Sequence, residues 1–558
     1  MYRLAYDDIN IHFGVPPKAF EFDLIAMDTE FFGQEKNRLH RPHGKFGSLA
    51  CTVNGVDVYM IFDEKEIQEF MDNCKPGTHV WHNAQYDYRQ LRRFAYIPDH
   101  DRVWDTMLVD KVRFSGYYDS FGLNDLARRY LGLYLDKSVR DEFLEVPEDH
   151  KMTDEQIFYA AADVVATYYV AKEQMKQIDD DDRNVYENVE MPYLWVLLSS
   201  KGIPFDGKSW MERVHKAEEK IAELDAQIPF NPRSPKQVQE FLKENYKINT
   251  KSTDEKHLAM ILAKHPNVKE IEMILTSRGL SKDAKTYGKK WVDAIEEDGR
   301  IYPSWNQILE TGRMSAPGDV TIQTTPHAKE YRKCIIASRG CKLVIKDYSA
   351  QEPRILAYIT QDEKLMDIFA SGKDIYIAVG FEIFGEHFDK NDPRRKHMKS
   401  IILGLSYGMG ISTLAEKMGV DEETATEWMN LFFEKFPGVK EWYDGTSEWT
   451  PYVTTIIGRK FWGNPYSNGW SRNYKNFPMQ GSAADCTKIA SAKAYEELGY
   501  NPFLIYMHDE LVAEFTKDKL AHGERVMDKW MIDTQEWMHS GIPGSLETFI
   551  GADWSVKK

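Results

Sequence analysis

Arg395-Lys396-His397-Met398-Lys399-Ser400-Ile401-Ile402-Leu403-Gly404-Leu405-Ser406-Tyr407-Gly408 is the stretch whose reading decides the fold. Arg395, Lys399, Leu403 and Tyr407 recur every four residues. On an α-helix such residues form one nearly straight stripe. Two cations at one end of the stripe suit a polyphosphate. An apolar side chain and an aromatic at the other end suit a sugar and a base. The same stretch also reads as an amphipathic surface helix with a basic end. The sequence before and after it decides between the two.

Before it, Lys342-Leu343-Val344-Ile345-Lys346 is a short, β-branched apolar run ending at Asp347-Tyr348-Ser349. After it, Phe503-Leu504-Ile505-Tyr506-Met507 leads through His508-Asp509-Glu510 into Leu511-Val512-Ala513. The second pattern predicts two apolar strands joined at an acidic tight turn. Carboxylates beside buried strands are costly unless a proton, a base or a metal compensates them.

Together these segments resemble the family A DNA polymerases, the bacterial DNA polymerase I family. The stripe resembles that family's nucleotide-binding helix. The Asp347 and Asp509 segments resemble its first and third palm motifs, in the same order along the chain.

At 558 residues the chain has room for roughly three to five structural units. It is 42% hydrophobic and 28% charged, an ordinary globular balance. No apolar run approaches the ~20 residues of a membrane span. Met1 to Asp8 lacks the apolar core of a signal peptide. The cysteines Cys51, Cys74, Cys334, Cys341 and Cys486 include no Cys-x-x-Cys pair, which points to neither a zinc site nor a disulfide framework. A net charge of −17 argues against a protein that coats nucleic acid non-specifically. A nucleic-acid enzyme needs only a local basic channel.

In the first third, Leu24-Ile25-Ala26-Met27 reads as a buried strand leading into Asp28-Thr29-Glu30. Residues two apart on a strand share a side, so Asp28 and Glu30 can share a cation. Val80-Trp81-His82-Asn83 leads into Ala84-Gln85-Tyr86-Asp87. Thr153 and Gln156 form a capping box for a helix that carries Tyr159 and Asp163 one turn apart. Hard divalent cations prefer oxygen ligands, and a pair of them activates water in two-metal hydrolases. The four acids and the tyrosine resemble the DEDDy 3′–5′ exonucleases. The resemblance implies a ribonuclease H-like domain over roughly residues 20–175, with Asp28, Glu30, Asp87 and Asp163 as metal ligands and Tyr159 orienting the water. The acidic run Asp179 to Asp182 reads as the domain boundary, a solvated linker or face.

The expected architecture is therefore α/β and α+β multidomain: an exonuclease domain over 1–185, then a right-hand polymerase domain over 190–558. The resemblance divides the latter into thumb (about 207–295), palm (about 300–362 and 440–558) and fingers (about 363–439).

It assigns Asp347, Asp509 and the Tyr348 carbonyl to two Mg²⁺ ions per site, for which Mn²⁺ can substitute, with Glu510 as a supporting acid. Arg395 and Lys399 take the incoming triphosphate. Leu403, Tyr407, Gln351 and His508 adjoin the nucleotide, and Glu352 blocks a ribose 2′-hydroxyl. Leu403 stands where the family usually has phenylalanine or tyrosine. Arg313, in Thr311-Gly312-Arg313-Met314-Ser315, and Arg472, Asn476 and Gln480 contact primer–template DNA. Gly458-Arg459-Lys460 reads as a hairpin turn able to contact phosphate.

The implied function is a template-directed DNA polymerase with a proofreading exonuclease, replicative in a phage or mobile element. Its expected partners are primer–template DNA and deoxynucleoside triphosphates, with accessory replication proteins left open. A monomer in the cytoplasm, the host's if phage-encoded, and no membrane association are expected. The alternatives are a repair or gap-filling polymerase, a catalytically silent DNA-binding homologue and a single-subunit RNA polymerase, the last opposed by Glu352.

Overall fold

The computed structural model describes residues 8–16, 22–33, 43–74, 77–99, 102–147, 150–446, 449–463, 466 and 470–557. Residues 1–7, part of the stretch read above for a signal peptide, lie outside the described residues.

The first third is built on a six-stranded mixed sheet. Its strands are β1 (Asn10–Phe13), β2 (Leu24–Phe32), β3 (Lys45–Thr52), β4 (Asp57–Ile61), β5 (Thr78–Trp81) and β6 (Val103–Asp105), in the order β1-β4-β3-β2-β5-β6. β3 runs antiparallel to β2 and β4, whereas β5 and β6 run parallel to β2. Parallel neighbours need crossovers, and the helices Ala84–Leu91 and Ile67–Cys74 supply them. On β2, Met27, Thr29 and Phe31 are buried, while Asp28 and Glu30 keep contact with solvent on the opposite side. The period of two read from the sequence therefore holds through the acids. The helix Asp154–Gln177 packs across this sheet and starts at the Thr153–Gln156 capping box.

The acidic run 179–182 is a solvated face at Asp179, Asp180 and Asp181, which are exposed, but it is helical and not a linker, and Asp182 is not solvated. Asp179 caps the helix Asp180–Val185, which continues through the π-turn Tyr186–Glu190 into the helix Met191–Leu198. Asp182 is buried and pairs with Lys460 at 3.2 Å; Asp179 pairs with the same ammonium. Trp195 packs against Tyr88 with the rings tilted at 52°, and both Trp195 and Leu194 join the core of the first third. One continuous core therefore spans the junction, which makes the two halves a packed unit rather than tethered domains.

The second half opens with the pair β7 (Ile203–Pro204) and β8 (Arg300–Ile301). Between them lie the helices Gly207–Ala226, Pro235–Tyr246, Glu255–Lys264 and Lys269–Thr286, the distal three around a small core of Val238, Leu242, Leu258, Ile271 and Ile274. A four-stranded antiparallel sheet follows, made from β9 (Cys341–Tyr348), β12 (Phe503–Met507), β13 (Glu510–Thr516) and β14 (Leu546–Gly551) in the order β12-β13-β9-β14. The helix Trp470–Leu498 and the helix Leu520–Met538 pack together and support it. The helices between 351 and 445, including Pro393–Ser406, enclose a separate core around Met398, Ile402, Leu405 and Phe432. A small hairpin, β10 (Tyr452–Thr454) and β11 (Lys460–Trp462), reaches back to the first third, where Trp462 N–H donates to the Ser115 carbonyl.

Candidate active sites

Five non-glycine residues among those described have positive φ: Asn83, Lys247, Ala350, Gln361 and His508. Such backbone is costly for an L-residue and persists where the surroundings enforce it. Asn83, Ala350 and His508 each sit beside the acids singled out from the sequence.

Asn83 turns the chain from β5 into the helix Ala84–Leu91. Its N–H and that of Ala84 donate to the buried Asp105 carboxylate at 3.0 and 2.8 Å, which holds the turn. Asp87 is thereby set in the first helical turn, where it accepts from Thr29 N–H at 3.1 Å and Thr29 Oγ1 at 2.6 Å. Asp28, Glu30, Asp87, Tyr159 and Asp163 all line one cleft of about 700 Å³. The structure brings together every residue the sequence assigned there. Burial, and then the neighbouring Asp163, push the Asp28 carboxyl up to about 7. Glu30 and Asp87 lie well above the ordinary carboxylate range, first from burial and then from repulsion by Asp28.

Several cleft residues escaped the sequence reading. Lys137 places its ammonium 2.5 Å from Asp163 Oδ2, and Arg140 lines the same wall. His82 Nδ1 pairs with Thr106 Oγ1 at 2.9 Å, and burial lowers its pKa to about 3, so its ring stays neutral. Ser304, Trp305 and Asn306 reach the cleft from the second half. No spacing in the sequence marks these residues, because tertiary packing alone delivers them.

In the second half His508, with φ of 51°, closes the β12–β13 turn and leaves Asp509 exposed at its tip. The turn is anchored where Thr487 Oγ1 donates to the His508 carbonyl at 3.2 Å and Tyr348 N–H donates to the Asp509 carbonyl at 3.0 Å. Asp347 on β9 lies opposite Glu510 on β13. Burial, and then Asp509, raise the Asp347 carboxyl to about 6. Glu510 is buried and accepts from Trp554 Nε1 at 2.6 Å and from Lys557 Nζ at 2.5 Å; Lys557 also bonds to Asp347.

Ala350, with φ of 52°, turns β9 into the helix Gln351–Thr360, whose first turn carries Glu352. Arg313 Nη2 donates to Glu352 Oε1 at 2.7 Å, and the Tyr407 hydroxyl donates to the same oxygen at 3.2 Å. Burial raises the Glu352 carboxyl although Arg313 opposes the shift. Tyr407 caps the helix Pro393–Ser406, which carries Arg395, Lys399 and Leu403 as the periodicity predicts. Arg395 holds Asp374 at 2.8 Å and lies over the Tyr376 ring, with Lys399 also 5.9 Å from that ring. Burial raises the Tyr376 hydroxyl to about 12, and the charges of Arg395, Asp374, Glu352 and Asp509 also act on it.

Arg472, Asn476 and Gln480 follow one another at four-residue spacing on the helix Trp470–Leu498, with Arg472 exposed and Gln480 bearing on the Tyr407 hydroxyl. Gln351 is buried and donates to the Ala483 carbonyl at 3.4 Å. One expectation fails. The turn 458–460 offers no cation to phosphate: Arg459 is buried between Glu190 and Asp485, and Lys460 is engaged by Asp179 and Asp182.

No three acid, histidine or cysteine side chains among the described residues converge, as they stand, on a point that could hold a metal ion. The donor chemistry nevertheless fits a hard divalent cation. Burial, and then neighbouring carboxylates, raise Asp28, Glu30 and Asp87 in one cluster and Asp347 and Asp509 in the other, and in both clusters a lysine ammonium holds an acid that a cation would use.

No helix among the described residues is long and apolar enough to cross a membrane. Residues 206–556 match the family model of DNA polymerase family A, and residues 18–179 match that of a 3′–5′ exonuclease. The chain is 28% identical over 524 residues to DNA polymerase I of Chloroflexus aurantiacus, covering 85% of this chain and 54% of that protein. It is 31% identical over 414 residues to DNA polymerase I of Helicobacter pylori, covering 68% and 45%. It is 25% identical over 539 residues to DNA polymerase I of Aquifex aeolicus, covering 90% and 91%. The chain thus spans about half the length of the first two relatives. A solved structure described as the POL domain of Pol1 from M. smegmatis in complex with DNA primer-template and dNTP shares the fold, with a TM-score of 0.82 at 22% identity over 96% of each chain.

Proposed function

The chain belongs to DNA polymerase family A, with a 3′–5′ exonuclease domain ahead of the polymerase region, and we propose that it is a template-directed DNA polymerase that proofreads its own product. The observation that carries the reading is the meeting at Glu352, on the helix that follows Asp347, of Arg313 and of Tyr407 from the end of the helix that carries Arg395 and Lys399. A basic stripe facing palm acids suits a triphosphate held against a primer end.

In this reading the domains fall as thumb (about 207–295), palm (about 300–362 and 440–558) and fingers (about 363–439). Arg395 exchanges Asp374 for the triphosphate, and Lys399 joins it. Leu403 and Tyr407 pack against the sugar and base. Glu352, fixed by Arg313 and Tyr407, occupies the space a 2′-hydroxyl needs and so selects deoxynucleotides. Gln351 and His508 flank the nucleotide pocket. Arg313, Arg472, Asn476 and Gln480 hold primer–template DNA. Asp347, Asp509 and the Tyr348 carbonyl would hold two divalent cations, Mg²⁺ by the hardness of the donors, with Glu510 supporting them. When bound, such cations lower the pKa of the primer 3′-hydroxyl and offset charge on the transferring phosphate.

In the exonuclease cleft Asp28, Glu30, Asp87 and Asp163 would hold the corresponding cations. Burial raises the Tyr159 hydroxyl far above its ordinary pKa, so it stays protonated and can orient the attacking water. We place the enzyme in the cytoplasm as a monomer, replicating a phage or mobile element. Two acid clusters on two sheets of one chain, joined by the packed helices 180–198, suit an enzyme that synthesises and edits long products.

A primer–template assay with Mg²⁺, run with and without deoxynucleotides, tests the reading. Extension with nucleotides and 3′ shortening without them support both sites; absence of extension overturns the polymerase assignment. Extension of many hundreds of nucleotides per binding event supports replication, and filling of short gaps alone favours repair.

A further inference from the structure

We propose that Lys137 binds the scissile phosphate in the exonuclease cleft, an inference that rests on the exonuclease reading above. Lys137 lies in the connection between the helices Leu123–Leu131 and Glu142–Glu145. Its Nζ stands 2.5 Å from Asp163 Oδ2 and 3.3 Å from the Tyr159 hydroxyl. The Lys137 side chain is 28% exposed and that of Asp163 9%, so the ammonium sits between the acid cluster and the open cleft.

An ammonium has three N–H donors. Asp163 and Tyr159 take two of them. The remaining donor is available to the cleft, whose other lining cations are Arg89 and Arg140. The charge of Arg140 reaches Asp28 and Tyr159. The cleft therefore sets a cation beside an acid of the cluster and beside the hydroxyl that orients water. An incoming phosphodiester brings its negative charge to this same place, against Asp28, Glu30, Asp87 and Asp163. Without a cation among them, those acids would repel it.

A simpler role would make Lys137 a counter-ion for Asp163 alone, displaced once a divalent cation arrives. The contact with Tyr159 favours the phosphate role. It ties the ammonium to the water-orienting group as well as to a ligand, and the ring centre lies 4.9 Å from Nζ. A pure counter-ion needs neither contact.

The test compares wild type, Lys137→Met and Lys137→Arg as full chains. It measures single-turnover 3′ shortening of a labelled single-stranded oligonucleotide in saturating Mg²⁺, its binding in EDTA, the half-saturating Mg²⁺, and primer extension as the control for folding. The expected result is shortening slowed about tenfold or more in Lys137→Met. Oligonucleotide binding weakens in EDTA, Lys137→Arg recovers most of both losses, and extension stays at the wild-type rate. Wild-type shortening by Lys137→Met, with a lower half-saturating Mg²⁺, leaves only the counter-ion role and overturns the proposal. A wild type that extends primers but shortens none sinks the exonuclease reading, and this inference with it. An active wild type matched by Lys137→Met sinks this inference alone.

Discussion

Asp347 and Glu510 are register partners across β9 and β13, and the Lys557 ammonium bonds to both. Burial works against the Lys557 charge, but the two carboxylates outweigh it and hold its pKa above the ordinary value. The second Glu510 oxygen is taken by Trp554 Nε1. Glu510 is thus committed on both sides, which fits a supporting acid better than a free ligand.

Removing the Lys557 charge should make the acids easier for a cation to reach. Lys557→Ala is expected to lower the half-saturating Mg²⁺ for primer extension roughly two- to fivefold, since one competing charge at contact distance is lost. A titration of extension rate against Mg²⁺ measures this, and an unchanged or raised requirement refutes it.

The two acid clusters are separate in space and should fail separately. Asp509→Ala is expected to abolish extension and leave 3′ shortening intact. Asp28→Ala with Glu30→Ala should do the reverse. Retained extension by the first variant would remove Asp509 from its role, and continued shortening by the second would do the same for the cleft acids.

Glu352 is held by Arg313 and Tyr407 through a single carboxylate oxygen. Glu352→Ala is expected to improve ribonucleotide insertion relative to deoxynucleotide by about tenfold or more, because discrimination by a filled pocket is worth about 1–3 kcal/mol. Tyr407→Phe should loosen the same group, and the double variant should gain less than the sum. Single-nucleotide insertion kinetics decide the matter; equal selectivity in wild type and Glu352→Ala removes the gate.

Glu190 lies fully buried between Arg459 and Lys488, at 2.6 and 2.7 Å, and Arg459 also holds Asp485. The four charges cancel, so deleting one leaves a buried cation uncompensated. Glu190→Ala should cost about 3–5 kcal/mol, as broken buried pairs do. Adding Lys488→Met restores neutrality and should recover part of the loss. Urea denaturation followed by tryptophan fluorescence reads both, and a Glu190→Ala chain as stable as wild type refutes the role.

The Asp28 carboxyl, at about 7 in the folded chain, lies above its unfolded value of 3.8. The folded state then binds more protons between these values, so stability falls as pH rises through the window and the penalty is complete above 7. Asp28→Asn mimics the protonated form. Without divalent metal it should melt above wild type at pH 8 and match it near pH 4. The gain is about 1–2 kcal/mol, less than the full shift implies because Asp28 keeps some solvent contact. Melting curves in EDTA across this range measure it, and a difference that does not vary with pH refutes it.

Much of this architecture was legible in the sequence. The alternation through Met27-Asp28-Thr29-Glu30, the Thr153–Gln156 box, the acidic turn at His508-Asp509 and the four-residue stripe from Arg395 are local patterns. Each is set by backbone geometry over a few residues, where side-chain period and chain direction are coupled. The motif acids were therefore found, and so was the order of the two halves.

The missed residues share a different character. Asp182 read as part of a solvated run, yet it is buried against Lys460, which lies 278 positions further along the chain. Arg459 read as a phosphate contact, yet it closes a charge network with Glu190 and Asp485. Lys137 and Lys557 carry no motif, and each rests on a carboxylate of one of the two acid clusters. A charged side chain has no fixed partner in the sequence. Its role depends on which remote group the packed core brings within a few ångströms, and on whether water is left to screen the pair. By itself the sequence determined the strands, the helices and the acids they carry. Only the tertiary structure decided which cations those acids face, because that choice is made by long-range packing and not by local period.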